Sequence, residues 1–412
     1  MKPSFRILHN RDFLYLFVAG AVSTNGSAVS GVALTWLIYA KTESAMAISL
    51  VGLATVAPTI VLGLLAGTAV DRFNRKRIMI LSDLVRAIAV LTVPIFLVIS
   101  GFSLTWVLFV IVVVTVFSTL FRPAQNASLP QLVEGEAVQD ANGMISSAST
   151  VMRTVGNAIG GVLFGVSVAI CFIYDSLTYL FSASMIASLK LRTQDHLQKS
   201  SSERSLHREL GEGIKYIGQR PALLTSTLGA ALVNFFSTLA TTFIVIYVST
   251  QLNGSSTVYG VFLALMSVGA ACGTLLVGRL RAVRYAGKAM ASSFLICSVA
   301  LLVLALGHSI PLAYLMAPLL GACLSWANTV LYSALQLTVP NEVLGRVFSV
   351  DEVGSYASVP AGQIVGGLLI QGAGIAVDFA VAGVGLFIST MLLLGVRDFR
   401  RFAYRATQPT GS

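Results

Sequence analysis

The sequence predicts an all-α integral membrane protein, with twelve transmembrane helices in two pseudo-symmetric six-helix bundles. Three observations predict it. Of 412 residues, 56% are hydrophobic and 11% charged, with a mean hydropathy of +0.83, whereas soluble domains carry about 25% charged residues. The apolar residues gather into twelve runs, and a bilayer core about 30 Å thick takes roughly 20 residues per helix. The halves also repeat. A shift of 209 places Arg11, Leu14, Gly20, Ala21 and Asn25 on Arg220, Leu223, Gly229, Ala230 and Asn234, and a shift of 206 places Gly156, Gly160 and Gly161 on Gly362, Gly366 and Gly367. Transporters are often built from such repeats.

In chain order the predicted helices cover 12–40, 45–70, 78–100, 104–126, 141–164, 167–189, 221–249, 257–280, 289–307, 311–337, 347–372 and 375–396. The first run is too long for a signal peptide and lacks a small-residue cleavage site. Charged and amide groups at Asp71–Arg77 separate helices 2 and 3. The stretch 141–189 divides near Gly165. Residues 1–189 thus form a first bundle and 221–396 a second, with a cytoplasmic linker at 190–220 and a tail at 397–412. The linker is too polar to span, and Leu206, Leu210 and Ile214 are spaced for a short amphipathic surface helix.

The net charge of +10 encodes topology rather than a nucleic-acid partner. With an even number of helices both termini share a side, and of 27 Lys and Arg residues all but Lys41, Arg86, Arg122 and Arg153 fall in segments on that side. By the positive-inside rule it is the cytoplasmic one, which predicts a multi-pass protein of the cell membrane. The basic segments can rest on anionic lipid headgroups. Cys171, Cys272, Cys297 and Cys323 lie inside apolar runs with no metal-site spacing. No phosphate-binding loop is present. No cofactor, metal or catalytic constellation is expected.

The turn Gly67-Thr-Ala-Val-Asp71-Arg72-Phe-Asn-Arg75-Lys76-Arg77 packs an anion among four cations. Topology requires only the cations. This pattern resembles the signature loop between helices 2 and 3 of the major facilitator superfamily. Thr42–Met46, Pro123–Val133, Ala141-Asn142-Gly143, Ile173–Tyr179 and Gly345–Ser349 look like the macrolide-efflux and enterobactin-exporter (drug:proton antiporter) branch. Two features depart from the pattern. The second-half turn Gly273–Arg281 has no Asp, and the run Gly156-Asn-Ala-Ile-Gly160-Gly161 lacks the proline of the antiporter motif.

The resemblance implies a conformational latch. Gly67 would admit a neighbouring helix, and Asp71 would accept hydrogen bonds at the start of helix 11 near Arg346. Arg72, Arg75 and Lys76 would pair with Asp351 or Glu352. A solvated turn that only sets topology is the other reading. Asp83 and Arg86 on helix 3, with Arg122 near the end of helix 4, suggest a buried charge cluster; snorkelling of the arginines to the headgroups is the alternative.

Arg153 and Asp175 are the deepest charges, and neither belongs in lipid, where a charge at the bilayer centre costs at least about 3 kcal/mol. Three readings stand open. The two form a pair, or Arg153 faces the cavity and binds an anionic substrate group, or Asp175 carries a coupling proton.

In the family's fold helices 1, 4, 7 and 10 line the cavity. Here they carry Asn25, then Asn234 and Thr238, then Trp326, Asn328, Tyr332 and Gln336, among aromatic neighbours. Such polar stripes suit a bulky amphiphile or serve helix–helix hydrogen bonding. Helices 1, 2, 4, 7, 8 and 10 contain no acid within them, which points to neutral, zwitterionic or anionic solutes. The expectation is a monomeric secondary transporter in the lipid bilayer, not an enzyme. It would work by alternating access and export an amphiphilic drug or siderophore-like metabolite against protons. A lysophospholipid flippase or solute importer is the alternative.

Overall fold

The computed structural model describes residues 4–72, 74–133, 137–190, 214–279 and 285–401, and every regular element among them is helical. The main helices are α1 (Arg11–Thr42), α2 (Ala45–Arg72), α3 (Arg75–Ile99), α4 (Leu104–Leu132), α5 (Ala137–Val166) and α6 (Val168–Ala187). They continue with α7 (Pro221–Thr242), α8 (Ser256–Arg279), α9 (Ala286–Leu306) and α10 (Ile310–Thr338). α11 has two segments, Asn341–Tyr356 and Val359–Ala373, and α12 runs over Ile375–Gly395. Among the described residues eleven helical spans are long and apolar enough to cross a membrane. The twelfth, α5, has 30 residues and is more polar, with Gln139, Asp140, Asn142 and five Ser or Thr. The linker beyond 190 and the tail beyond 401 lie largely outside the described residues.

Local chemistry sets the helix ends. The Asn10 side chain accepts from the amides of Asp12 and Phe13 at 3.0 and 3.2 Å, satisfying donors that the first turn of α1 leaves open. Asn74 does the same for α3 through the Arg77 amide at 3.2 Å, so the sharp turn after α2 ends in a capped helix. α4 carries Pro123 and Pro130 inside it and ends at Leu132, within the stretch Pro123–Val133 but beyond the expected 126. The division between α5 and α6 falls at Ser167, near Gly165 as expected. α11 starts earlier than expected and breaks at Ala357–Ser358, just before Pro360, which has no N–H to continue the ladder. The Ser358 hydroxyl at that break donates to the Ala231 carbonyl at 2.7 Å. α7 is followed by one turn at Ile244–Ile246 and a π-helical turn over Tyr247–Gln251.

By packing, the described residues fall into two compact units. One takes those within Met1–Lys199 and Val248–Ala264, the other those within Ser200–Tyr247 and Leu265–Ser412. In the first, α1 packs on α5 and α6, and α3 on α4 and α6. In the second, α7 packs on α11 and α12, and α9 on α10 and α12. The helix pairings of one unit therefore repeat in the other with the helix number raised by six, as the sequence repeat requires. Glycines permit the closest approaches. A methyl group on Gly156 would stand 2.6 Å from the Asn25 carbonyl oxygen, and one on the matching Gly362 2.8 Å from that of Phe235. Cys171, Cys297 and Cys323 are buried packing residues, and Cys272 is exposed.

Candidate functional site

Of the turn residues, the side chains of Gly67, Asp71 and Arg72 lie outside the described residues, as does that of Glu352. The two described cations expected in the latch reach carbonyl groups of their own unit instead of acids. Arg75 Nη1 donates to the Ala127 oxygen at 2.8 Å and Lys76 Nζ to the Leu189 oxygen at 2.8 Å. The Leu189 carbonyl lies just beyond the C-terminus of α6, where a cation complements the dipole, whereas Ala127 lies inside α4, five residues before its end. Asp351 is buried and accepts from Thr227 Oγ1 at 2.6 Å.

The charge cluster forms around α3, with a different membership from that expected. Asp83 and Arg86, one turn apart, are ion-paired and buried. Arg86 Nε also donates to the Ser82 carbonyl at 3.2 Å and Nη1 to Ser118 Oγ at 3.4 Å. The guanidinium lies 4.6 Å from the Phe121 ring centroid on one side and 4.5 Å from that of Tyr179 on the other. Two aromatic faces so placed favour a cation. Arg122 is not part of this group. Phe121 takes the inward position on α4, so the next residue turns away and is exposed.

Asp175 joins the cluster in its place. It is 1% exposed, accepts from Ser30 of α1 and from Thr178 Oγ1 at 3.4 Å, and the charged groups acting on it are Arg86 and Asp83. The absence of a side chain at Gly26 makes the room, since a methyl there would overlap Thr178 Oγ1 and Asp175 Oδ1. Tyr179 Oη shares a 2.8 Å hydrogen bond with Ser27 of α1. Arg153 does not pair with Asp175. It is exposed on α5, and its charged neighbour is Arg122.

Asn25 is committed to structure. Its Nδ2 donates to the Met152 carbonyl at 2.9 Å, and its Oδ1 accepts from Tyr174 Oη at 2.8 Å.

The second unit holds a cavity of about 310 Å³ between α7, α9, α10 and α11. Of the expected residues, Asn234, Thr238 and Asn328 line it, with Thr241 of the same polar stripe on α7, beside Ser237 and Gln363, which sequence reasoning did not select. Met290 and Phe294 of α9 supply apolar wall, and among the described residues no charged side chain lines it. Ser237 Oγ is buried with no hydrogen-bond partner. Trp326, Tyr332 and Gln336 are not in the lining. Tyr332 instead packs on Phe348, ring centroids 5.5 Å apart, and Gln336 is exposed. Gln363 had one readable signal: it is the only amide within the apolar run 359–370. A further acid, Asp378 of α12, is fully buried with both carboxyl oxygens unpaired.

Comparison with known proteins bears on this architecture. The family model described as "Transmembrane secretion effector" matches residues 3–408. The multidrug efflux pump Tap of Mycolicibacterium fortuitum is 25% identical over 93% of this chain and 94% of its own length. Macrolide efflux protein A of Streptococcus pyogenes is 24% identical over 94% of this chain and 96% of its own. Among solved structures, a bacterial homologue of the human lysosomal transporter Spinster, in an inward-facing and occupied conformation, superposes with a TM-score of 0.75 at 16% identity, covering 99% of this chain and 100% of its own. A mutant form of the nucleoside transporter NupG does so with a TM-score of 0.77 at 12% identity, covering 92% and 99%.

Proposed function

The chain belongs to the transmembrane secretion effector family of the major facilitator superfamily, whose members are membrane transporters rather than enzymes, and on that premise we propose that it exports an amphiphilic drug or siderophore-like metabolite in exchange for protons. The observation that carries this reading is the cavity of the second unit. Its 310 Å³ fall within the range of small-molecule sites, about 300–1,000 Å³. Amides and hydroxyls among Met, Phe and Leu side chains give an amphiphile both apolar contact and hydrogen bonds. Among the described lining residues a cationic drug would find no carboxylate. In the first unit the exposed Arg153, with Arg122 as its charged neighbour, offers counter-charge to an acidic group on the solute. Efflux pumps among the relatives, matched over nearly their whole length, favour export.

Transport would proceed by alternating access, with the 67–77 turn as the cytoplasmic latch and both termini cytoplasmic. The protein would act as a monomer in the cell membrane. The test is a flux assay in proteoliposomes with an imposed pH gradient, over a panel of macrolides, siderophores and lysolipids. Gradient-driven movement of a macrolide or siderophore supports the proposal. Movement of lysolipids alone, or uptake in the importing direction, replaces it with the flippase or importer reading.

A further inference from the structure

Among the described residues the first unit buries three charges that do not balance. Asp83, Arg86 and Asp175 are 0%, 6% and 1% exposed. Asp83 is ion-paired with Arg86 while Asp175 is held by Ser30 and Thr178, so the three leave one negative charge in excess, in a region where an uncompensated charge costs at least about 3 kcal/mol. Among the described residues the elements packed around the cluster present the following groups. α1 presents Ser27 and Ser30, α4 presents Ser118 and Phe121, and α6 presents Thr178, Tyr179 and Ser182, with Cys171 one turn away bonded to the Gly160 and Ser167 carbonyls. None of these supplies a second cation, and Arg153 of α5 keeps company with Arg122. Polar capacity is also left over, since the Ser82 hydroxyl is buried without a hydrogen-bond partner.

We propose that Asp83, Arg86 and Asp175 together hold one exchangeable proton, shared between the two carboxylates, and that this is the coupling proton of the transport cycle. The second clause rests on the proton-coupled reading above. Two acids that share a site and one cation titrate as a unit, so the proton belongs to the pair. In the loaded state one carboxyl is a neutral acid, the other is ionised against Arg86, and the cluster carries no net charge. Unloading breaks the acid O–H bond and passes the proton to water, leaving both carboxylates ionised around one guanidinium. Ser30 belongs to α1 while Asp175 belongs to α6, so displacement of α1 against α6 would break the Ser30 bond and open Asp175 to water.

The stoichiometry makes an asymmetric prediction. Either Asp83→Asn or Asp175→Asn leaves one acid balanced by Arg86 and no proton to hold. The double variant leaves Arg86 as a lone buried cation. Both single variants should therefore insert and melt near the parent, and the double variant should be recovered in much lower yield. Infrared difference spectra of the purified full-length protein in lipid should show a protonated-carboxyl stretch as pH is lowered. In an Asp378→Asn background, which removes the other fully buried carboxyl among the described residues, that band should persist, and adding either Asp83→Asn or Asp175→Asn should abolish it. In proteoliposomes each single variant should carry substrate down its gradient and lose acceleration by an imposed pH gradient.

Failure of the two readings is distinguishable. A parent protein with the infrared band and the single-versus-double pattern but no pH-gradient drive keeps the proton site and overturns the coupling. A parent driven by the gradient, with either single variant still driven, overturns the assignment of the coupling proton to this cluster. A band that survives both changes in the Asp378→Asn background, or that responds to sodium instead of pH, overturns the site.

Discussion

Asn234 repeats in the second unit the bond that Asn25 makes in the first. Asn25 Nδ2 crosses from α1 to the Met152 carbonyl of α5 at 2.9 Å, and Asn234 Nδ2 crosses from α7 to the Ser355 carbonyl of α11 at 3.0 Å. The two differ in their surroundings. Asn25 also accepts from Tyr174, whereas Asn234 lines the cavity. Asn25→Ala should therefore act on stability, costing about 1–3 kcal/mol because it leaves the Tyr174 hydroxyl without its acceptor. Asn234→Ala should cost less in a detergent melting assay and should alter substrate affinity. Equal loss of stability with unchanged affinity for both would remove the distinction.

That contrast shows how far the sequence can be read. Twelve spans, their order and the repeat were legible, because apolar length and glycine spacing are written directly in the chain. The 209-residue offset even anticipated the shared role of Asn25 and Asn234. Which polar residue faces a cavity was less legible. Asn25, Tyr332 and Asn328 look alike in a periodic pattern, yet Asn25 is taken up by Met152 and Tyr174, Tyr332 by packing on Phe348, and only Asn328 reaches the cavity. The charge cluster was half legible. The i, i+3 spacing of Asp83 and Arg86 gave their pairing, but replacement of Arg122 by Asp175 depends on Phe121 taking the inward position and on the gap at Gly26, neither of which periodicity encodes.

The turn between α2 and α3 yields a prediction from sequence alone. Cations there suffice for topology, so an acid among them implies another role. Asp71→Asn should slow transport while membrane insertion and expression stay at parental levels. Parental flux at parental expression would dispose of the latch.

Arg153 and Asp175 should behave as independent sites. Asp175 is held by Ser30 and Thr178 and acted on by Arg86, and Arg153 lies elsewhere. The melting shifts of Arg153→Ala and Asp175→Ala should add to within roughly 0.5 kcal/mol, as for residues without shared partners. Arg153→Ala should also raise KM for solutes bearing an acidic group and leave neutral ones unaffected. A double variant more stable than either single one would restore a direct pair.

The last prediction concerns the cavity, where stability and binding should part company. Ser237 Oγ is buried in the lining with no protein partner. A hydroxyl in that position costs free energy in the empty protein, on the order of 1–3 kcal/mol by mutational scales. Removing it should leave stability unchanged or raised. If the solute's polar groups bond there, the same change lowers affinity, because a solute group is then buried without its partner. Ser237→Ala should therefore melt at or above the parent temperature and bind substrate about tenfold more weakly, a difference of about 1.4 kcal/mol. Ser237→Leu fills part of the 310 Å³ instead. It should exclude bulky solutes while sparing small ones, since the cavity has room for the side chain but not for both. Binding measured on the purified transporter, beside its melting curve, separates the outcomes. A Ser237→Ala protein that melts lower, or that binds bulky substrate as the parent does, would show that this cavity is not where the solute sits.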